Sequence, residues 1–569
     1  MTSKASLPVR RTALILPVGT GSRAVFVSAA LFGAGLAWSA AAQSLTTPVE
    51  RAVAGQTVIL ERFTSPPQAG RFDLTVVDQR KQIDMDAAAK VRFRLRSLSI
   101  DGARTVPPAD LARLWQGRIG TDVTLADLYR IADAVDAAYY AAGYFSKTVV
   151  PEQNLATGEI SLRVYEGYVQ RVEITSDIPG IETRLAPYID RILRMSPIRV
   201  KEAERILLLM SDIGGLDIEG TFVRPEEATG GGLLKLEIGQ TRRSGVIGLD
   251  NMGSDSVGPL ELSANLMLND VFRRFETTSL VGVTIPDNPK ELGMLQIGQD
   301  YPVGADGVTM GYSLSYVRSR PGGSEADNDI DVTSVVGGGY LAYPFLRTED
   351  HSIYGRAELF ARHDTVDAAG TTVSDARTQW GEFTLQYDRA FETGGFSIDG
   401  GFSLGSASDD VTGDAREDFH LFTTGFNYAQ ALGDVADLGI SGIGQFATES
   451  LPGAVRFAVG GAPYGWAFDN GSISGDSGMA AAVEIGRDLE TGMGFLPGLS
   501  VAAFVDYGTV WNHGDQAGSR DSLGSYGLQL SGMMGERVAF QLIASRPWTT
   551  PELFEDPDRR LLFRLSVPL

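Results

Sequence analysis

The sequence predicts an all-β transmembrane barrel of about 16 antiparallel strands, preceded by two small α+β modules. Three observations carry that expectation. Apolar and polar residues alternate from Thr241 to the C-terminus, a strand-and-helix pattern occurs twice before Thr241, and the N-terminus reads as an export signal.

The alternation is clearest in three stretches. Val308, Met310, Tyr312, Leu314 and Tyr316 alternate with Thr309, Gly311, Ser313 and Ser315. Phe383, Leu385 and Tyr387 alternate with Glu382, Thr384, Gln386 and Asp388, and Val538, Phe540, Leu542 and Ala544 repeat the pattern. A period of two puts alternate side chains on opposite faces of a strand. A soluble sandwich would bury the apolar face, whereas an outer-membrane barrel turns it to lipid and lines its lumen with small polar residues. The count favours the barrel: about sixteen segments of ~10–14 residues run from near 241–252, 258–270 and 275–286 through to 536–547 and 559–569. Connectors alternate between short ones such as Leu432-Gly433 and long ones such as 320–330, 449–476 and 548–558. Short turns on one side and long loops on the other are the habit of such barrels. Tyr301, Tyr343, Phe345, Trp511 and Trp548 near strand ends suit interfacial girdles. Leu561, Phe563, Leu565, Val567 and Leu569 carry the alternation to the last residue.

Residues 91–167 and 168–240 read as the two modules. In the first, Val91–Ile100 is an alternating strand turning at Asp101-Gly102. Leu125, Leu128, Ile131, Ala132, Val135 and Ala138 then recur at helical spacing, ending near Gly143. Strands Phe145–Val150 and Glu159–Tyr165 follow. The second module repeats the order with strand Val169–Ile174, helices around Glu182–Arg194 and Val200–Asp212, and strands Leu216–Val223 and Gly232–Ile238.

At the N-terminus, Arg10, Arg11 and Arg23 precede the apolar run Ala24–Trp38, which closes in Ser39-Ala40-Ala41-Ala42. This predicts a signal peptide over 1–42, cleaved after about Ala42. No later stretch reaches the ~20 unbroken apolar residues of a spanning helix. Residues 43–90 read as a connecting region. Within it, Pro48–Phe63 suits either a short amphipathic helix or an unstructured linker, and 64–90, with Pro66-Pro67, reads as linker. The chain has no cysteine, so disulfides cannot stabilise it after export. A net charge of −22 argues against nucleic acid as a partner.

Several separated motifs resemble one family. Leu125-Ala-Asp-Leu128, Tyr139-Tyr-Ala-Ala-Gly-Tyr144, Val150-Pro-Glu-Gln153, Gly158-Glu-Ile160 and Val164-Tyr-Glu-Gly167 resemble the first periplasmic POTRA module of the two-partner-secretion transporters, the haemolysin secretion/activation proteins of the ShlB/FhaC/HecB type. Arg205–Met210 and Ser211–Gly215 continue the likeness into the second module. The resemblance implies a plug helix, two POTRA modules and a sixteen-stranded barrel. It also implies ATP-independent export of a cognate secreted exoprotein from an outer membrane, with the modules in the periplasm. Outer-membrane lipid and the BAM insertion machinery are the other partners it implies. An assembly or insertion factor for other outer-membrane proteins, or a passive porin with accessory modules, are the alternatives.

The resemblance singles out three groups of residues. The POTRA motif residues are Tyr144, Pro151, Gln153, Glu166 and Gly167. The loop 449–476, which it implies folds back into the lumen, carries Gly460, Gly461, Gly465, Trp466, Phe468, Asp469, Gly475 and Asp476. Phe504, Asp506 and Gly508 match the family's lumen-strand motif F-x-D-x-G. In the family an arginine at the loop tip pairs with that aspartate; here Trp466 stands in the arginine's place and Ala467 in that of the following glycine. Asp506 then needs another partner, water or protonation, and the loop is expected to insert still, held by Trp466 and Phe468 packing and the close approach that the glycines allow. No catalytic constellation, metal-ligand spacing or G-x-x-x-x-G-K-[ST] signature occurs, so neither an enzyme nor a cofactor is implied.

Overall fold

The computed structural model describes Gln56, Arg62, residues 72–78, and residues 84–569 apart from 225–228, 255, 323–328, 412–413, 515–517, 536 and 552–558. The export signal expected over 1–42 and most of the connecting region lie outside the described residues. The first strand is β1 (Asp73–Asp78), followed by the short helix α1 (Met85–Ala88).

The first module comprises β2 (Arg92–Arg94), β3 (Ser97–Asp101), α2 (Pro108–Ala112), β4 (Asp122–Thr124), α3 (Leu125–Ala141), β5 (Ser146–Val149) and β6 (Glu159–Glu166). Helix α3 starts at a capping box. Thr124 Oγ1 accepts the Asp127 amide at 3.2 Å, and the Asp127 carboxylate accepts the Thr124 amide at 2.9 Å. It ends where the Gly143 amide reaches the Tyr140 carbonyl and the Tyr144 amide reaches that of Tyr139, a Schellman closure with Gly143 at positive φ. Its buried stripe, Leu128, Ile131, Val135 and Tyr139, packs on Leu95, Trp115, Ile160, Leu162 and Val164. The single strand expected over Val91–Ile100 is in fact two. Apolar positions 91, 93 and 95 give way to 98 and 100, so the phase slips at Arg96–Ser97. There the chain leaves β4 and joins β6 in parallel.

The second module comprises β7 (Tyr168–Thr175), α4 (Ile181–Leu193), α5 (Val200–Ser211), β8 (Leu216–Arg224) and β9 (Gly231–Gln240). Both helices lay their apolar faces on the sheet, through Leu185, Tyr188, Ile189 and Ile192 from α4 and Ile206, Leu209 and Met210 from α5. The sheet order is β1-β8-β9-β7. Strand β1 belongs to the stretch read as linker, so that reading is corrected. Residues 73–78 add in parallel to the edge strand β8, beside Gly220, whose missing side chain makes room for the Phe72 ring.

The barrel strands are β10 (Arg243–Asp250), β11 (Glu261–Asn269), β12 (Thr277–Thr284), β13 (Leu292–Val303), β14 (Val308–Ser319) and β15 (Ile330–Arg347). Next come β16 (His351–Ala368), β17 (Thr371–Phe391), β18 (Gly394–Asp409), β19 (Asp414–Leu432) and β20 (Ala436–Ala447). Two short strands, β21 (Phe457–Val459) and β22 (Ile473–Gly475), pair only with each other. The barrel resumes with β23 (Ser477–Met493), β24 (Leu496–Trp511), β25 (Arg520–Met534), β26 (Val538–Thr549) and β27 (Arg560–Pro568). Sixteen strands pair antiparallel with their neighbours in sequence, and β27 closes on β10. The faces are inverted relative to a soluble protein. Leu295, Leu314, Leu359, Phe383, Phe422, Leu528 and Leu561 stand exposed on the outside, while Asp250, Glu261, Arg362, Asp364, Gln445, Asp506 and Arg564 are buried within. An apolar exterior around a polar interior is the lipid-facing arrangement.

Candidate functional site

The barrel lumen is occupied by its own chain. The connector 448–476 between β20 and β23 folds inward, and its root is fastened by buried Asp476. One Asp476 oxygen accepts the Leu451 amide at 2.9 Å, and the other accepts the His513 amide at 2.7 Å. Arg456 lies 3.8 Å from the same carboxylate and donates to Asn512 Oδ1 at 2.5 Å. From this root the β21–β22 ribbon runs along the wall formed by β23 and β24. Val459 fills the notch at Gly508, where a Cβ would come within 2.4 Å of Val459 Cγ1, and Phe457 covers Gly478. Gly475 sits against the Trp511 backbone, where a Cβ would come within 2.9 Å of the carbonyl oxygen.

The tip turns through Gly460, Gly461 and Gly465, all at positive φ. Gly460 has φ +127°, and a side chain there would meet the Asp469 carbonyl, so only glycine fits. Tyr464, Ala467, Phe468 and Ile473 form a lumen core with Phe457, Val459, Val510 and Leu523. Asp506, in the middle of β24, accepts the Ser525 amide at 3.0 Å and the Ser525 hydroxyl at 2.5 Å. Its carboxylate also faces the backbone amides of Gly465 and Trp466. Asp506 therefore holds the tip through main chain, where the resemblance implies a side-chain cation. The Trp466 ring lies on Phe504 with centroids 6.0 Å apart, and its carbonyl accepts the Ser545 hydroxyl at 3.0 Å. Asp469 pairs with Arg560 at 3.0 Å, and Asn470 donates to the Met252 carbonyl at 3.1 Å.

Two residues of Pro48–Phe63 are described, Gln56 and Arg62; both are helical and buried within the barrel. Gln56 donates to Ser319 at 2.8 Å and to the Val332 carbonyl at 3.1 Å, and it accepts from Ser334. Arg62 pairs with Glu261 and lies 3.6 Å from Asp250, which Arg564 approaches from the other side at 3.3 Å. Arg62, Glu261, Asp250 and Arg564 were not among the expected site residues. For Asp250, Glu261 and Arg564 the one local signal is a charge on the lumen phase of an alternating strand.

The POTRA motif residues serve the first module and its joint with the second. Gln153 donates to the Pro151 and Ser161 carbonyls and accepts the Ser161 amide, pinning its loop to β6. Glu166 accepts the Arg104 and Thr105 amides and the Tyr139 hydroxyl. Burial raises its pKa, but these donors outweigh burial and hold the carboxyl below the usual glutamate range. Gly167 donates to Phe145 at 2.6 Å and accepts from Ile198 at 2.7 Å, while Tyr144 bridges to Arg199, so both join the two modules.

The second module docks on the barrel rim where β10 begins. Arg184 on α4 forks onto Asp270, in the β11–β12 turn, at 2.5 and 2.9 Å, with its guanidinium 3.7 Å above the Phe275 ring. Arg191 reaches Asp306 at 2.8 Å in the β13–β14 turn. Arg347, ending β15, forks onto Asp212 at 2.8 and 2.9 Å. The Asp270 carboxyl is pushed up by burial, but the Arg184 bonds and the Phe275 amide outweigh burial and leave it below the usual aspartate range.

A closed sixteen-stranded barrel with an inward-folded loop and α+β modules on one rim defines the class of outer-membrane β-barrel transporters. The profile of the haemolysin secretion/activation protein family ShlB/FhaC/HecB matches residues 234–532, more than half of the chain, and that of the ShlB-type POTRA domain matches residues 93–167. The chain belongs to the ShlB/FhaC/HecB family, which is a family of two-partner-secretion transporters. Among curated proteins it is similar to the outer membrane transporter CdiB of Escherichia coli, 24% identical over 183 residues, which is 31% of this chain and 30% of that relative. Among solved structures, CdiB from Escherichia coli superposes with a TM-score of 0.70 at 16% identity, covering 93% of this chain and 100% of the other. CdiB from Acinetobacter baumannii gives 0.61 at 16% identity, covering 91% and 99%. At these identities the superpositions speak to the fold.

Proposed function

We propose that this protein resides in a bacterial outer membrane and exports a cognate secreted exoprotein that its POTRA modules hold unfolded in the periplasm. The observation that carries this reading is the pairing of a barrel occupied by its own chain with a second module ion-paired to one rim. Loop 448–476 and the buried residues Gln56 and Arg62 occupy the lumen, so passage requires that they move. A passive pore has no use for such filling or for a docked module.

Export runs without ATP, because folding of the exoprotein outside biases its movement. The modules recognise extended backbone by strand addition, which is tolerant of side chains. In this reading residues 1–42 direct export and are removed, 43–90 carry the plug and its connection, and 91–167 and 168–240 are the two POTRA modules. Residues 241–569 form the barrel, which the BAM machinery inserts among outer-membrane lipids.

The test first asks whether a neighbouring gene encodes a large signal-bearing β-helix protein, and then uses the full chain with that exoprotein. Deleting residues 91–240 should leave that exoprotein in the periplasm while the barrel remains heat-modifiable. Undiminished secretion by the deletion would sink the proposal. Loss of other outer-membrane proteins instead would favour an assembly factor.

A further inference from the structure

Arg560 opens β27 on the lumen-facing phase. Its neighbour Leu561 is 72% exposed on the outer face, while Leu562 and Arg564 are buried inside. The Arg560 guanidinium donates to the Phe468 carbonyl, lies 3.0 Å from Asp469 Oδ1, and reaches the Gly253 carbonyl at 3.4 Å. One side chain therefore joins three segments: the tip of loop 448–476, the connector after β10, and the last strand. Asn470 adds a second tie from the same tip to the same connector, through the Met252 carbonyl. The charged bonds act in a crowded lumen, where Phe468 is fully packed and Asp469 is only partly open to water. Charge-assisted bonds of this kind are stronger than neutral ones and hold geometry more tightly.

We infer that Arg560 is a positioning residue that keeps the tip of loop 448–476 seated, by joining it to the strand that closes the barrel. The strand contributes the cation and the loop contributes the carboxylate and carbonyl. Asp506 holds the tip main chain from β24, and Arg560 holds the chain just beyond it from β27. The inserted loop is thereby clamped across the lumen from two walls. This goes beyond the transport reading and does not depend on it, because the seat is a property of the unloaded transporter.

The test exploits the absence of native cysteine. Ala467 is 1% exposed in the seated loop, so an Ala467→Cys thiol is shielded until the tip leaves. Maleimide labelling rates are measured on the full chain in outer membranes, with no exoprotein present and with heat-modifiable mobility as the check on barrel folding. Arg560→Gln should accelerate labelling about tenfold, Arg560→Lys should do so less, and Asp469→Asn should do so about threefold. Asp469→Asn should add nothing in the Arg560→Gln background, a non-additivity that a general loosening of the strand would not produce. Equal labelling rates in the parent, Arg560→Gln and Asp469→Asn would overturn the inference, as would strictly additive effects. If Arg560→Gln fails to fold, Asp469→Asn against Asp469→Glu decides alone: a faster rate for Asn with recovery for Glu supports the inference, and no difference overturns it.

Discussion

The two places where the barrel grips something inside or beneath it are built from opposite materials. At the module rim the grip rests on carboxylates: Arg184 forks onto Asp270 and Arg347 onto Asp212, and Arg191 pairs with Asp306 through one nitrogen. In the lumen the grip is largely main chain. Asp506 faces loop amides, Ser545 and Arg560 donate to loop carbonyls, and glycines let backbone approach backbone. Forked charge pairs fix orientation and resist rearrangement. Backbone bonds in a narrow lumen form only in one seated geometry, and extended chain passing the same wall could replace them. The contrast fits a docked module that stays and a loop that leaves.

The largest effect is expected where the loop's geometry admits one residue type. Gly460→Val forces a β-branched residue to φ +127° and drives its Cβ into the Asp469 carbonyl. The seated loop should lose roughly 3 kcal/mol relative to the withdrawn one. Labelling of Ala467→Cys and single-channel conductance should both rise sharply, whereas protease resistance of the module–barrel joint should stay as it was. An unchanged labelling rate would show that the seat does not depend on this turn.

Next in size is the rim. Arg347 is almost wholly buried and its partner Asp212 mostly so, and truncating one member of such a pair strands the other. Arg347→Ala should cost the docked arrangement about 2 kcal/mol. Limited proteolysis should then cut between residue 240 and the barrel, while loop labelling holds at the parent rate. If both readouts moved together, the two grips would be one cooperative unit.

How much of this was legible follows from range along the chain. Barrel strands announce themselves locally, because lipid and lumen impose alternation within one strand. The inward fold of the loop came from the resemblance; locally, Gly460-Gly461 through Gly465 beside Trp466 and Phe468 marks only a turn with apolar residues to pack. Arg560 escaped notice because the last strand was read on its apolar phase, Leu561 to Leu569, leaving Arg560, Leu562 and Arg564 on the unread one. Arg62 meets Glu261 across 199 residues, and no local pattern specifies such a partner. Strand β1 escaped for the same reason: its ladder partner lies far downstream, and Pro66-Pro67 with mixed charges nearby masks six residues of strand. Trp466 in place of an arginine was visible, but that the main chain of Gly465 and Trp466 would meet Asp506 was not.

Acidification sharpens the contrast with a smaller effect. The Asp270 carboxyl is held below its usual value in the folded protein, so its pair with Arg184 stabilises docking fully above the unfolded value of ~3.9. That contribution falls away as pH drops through the depressed folded value. Between about pH 7 and about pH 3, protease sensitivity of the joint should therefore rise on the acid side, and Asp270→Asn should flatten this component. A joint equally protected throughout would mean that Arg184 and Asp270 contribute little to docking.

The smallest effect is expected at the most conspicuous substitution. Trp466 stands where the resemblance implies a cation, yet what faces Asp506 from this position is the amide, and what Ser545 binds is the carbonyl. The indole contributes its offset contact with Phe504 and its share of the cluster with Met252, Ile543 and Leu562. Trp466→Leu keeps every main-chain bond and part of the apolar contact, so it should cost the seated loop only about 1 kcal/mol. Ala467→Cys labelling should rise several-fold, well short of the change for Gly460→Val. If Trp466→Leu instead released the loop as completely as Gly460→Val, packing rather than main chain would hold the tip, and the difference between rim and lumen would be one of polarity alone.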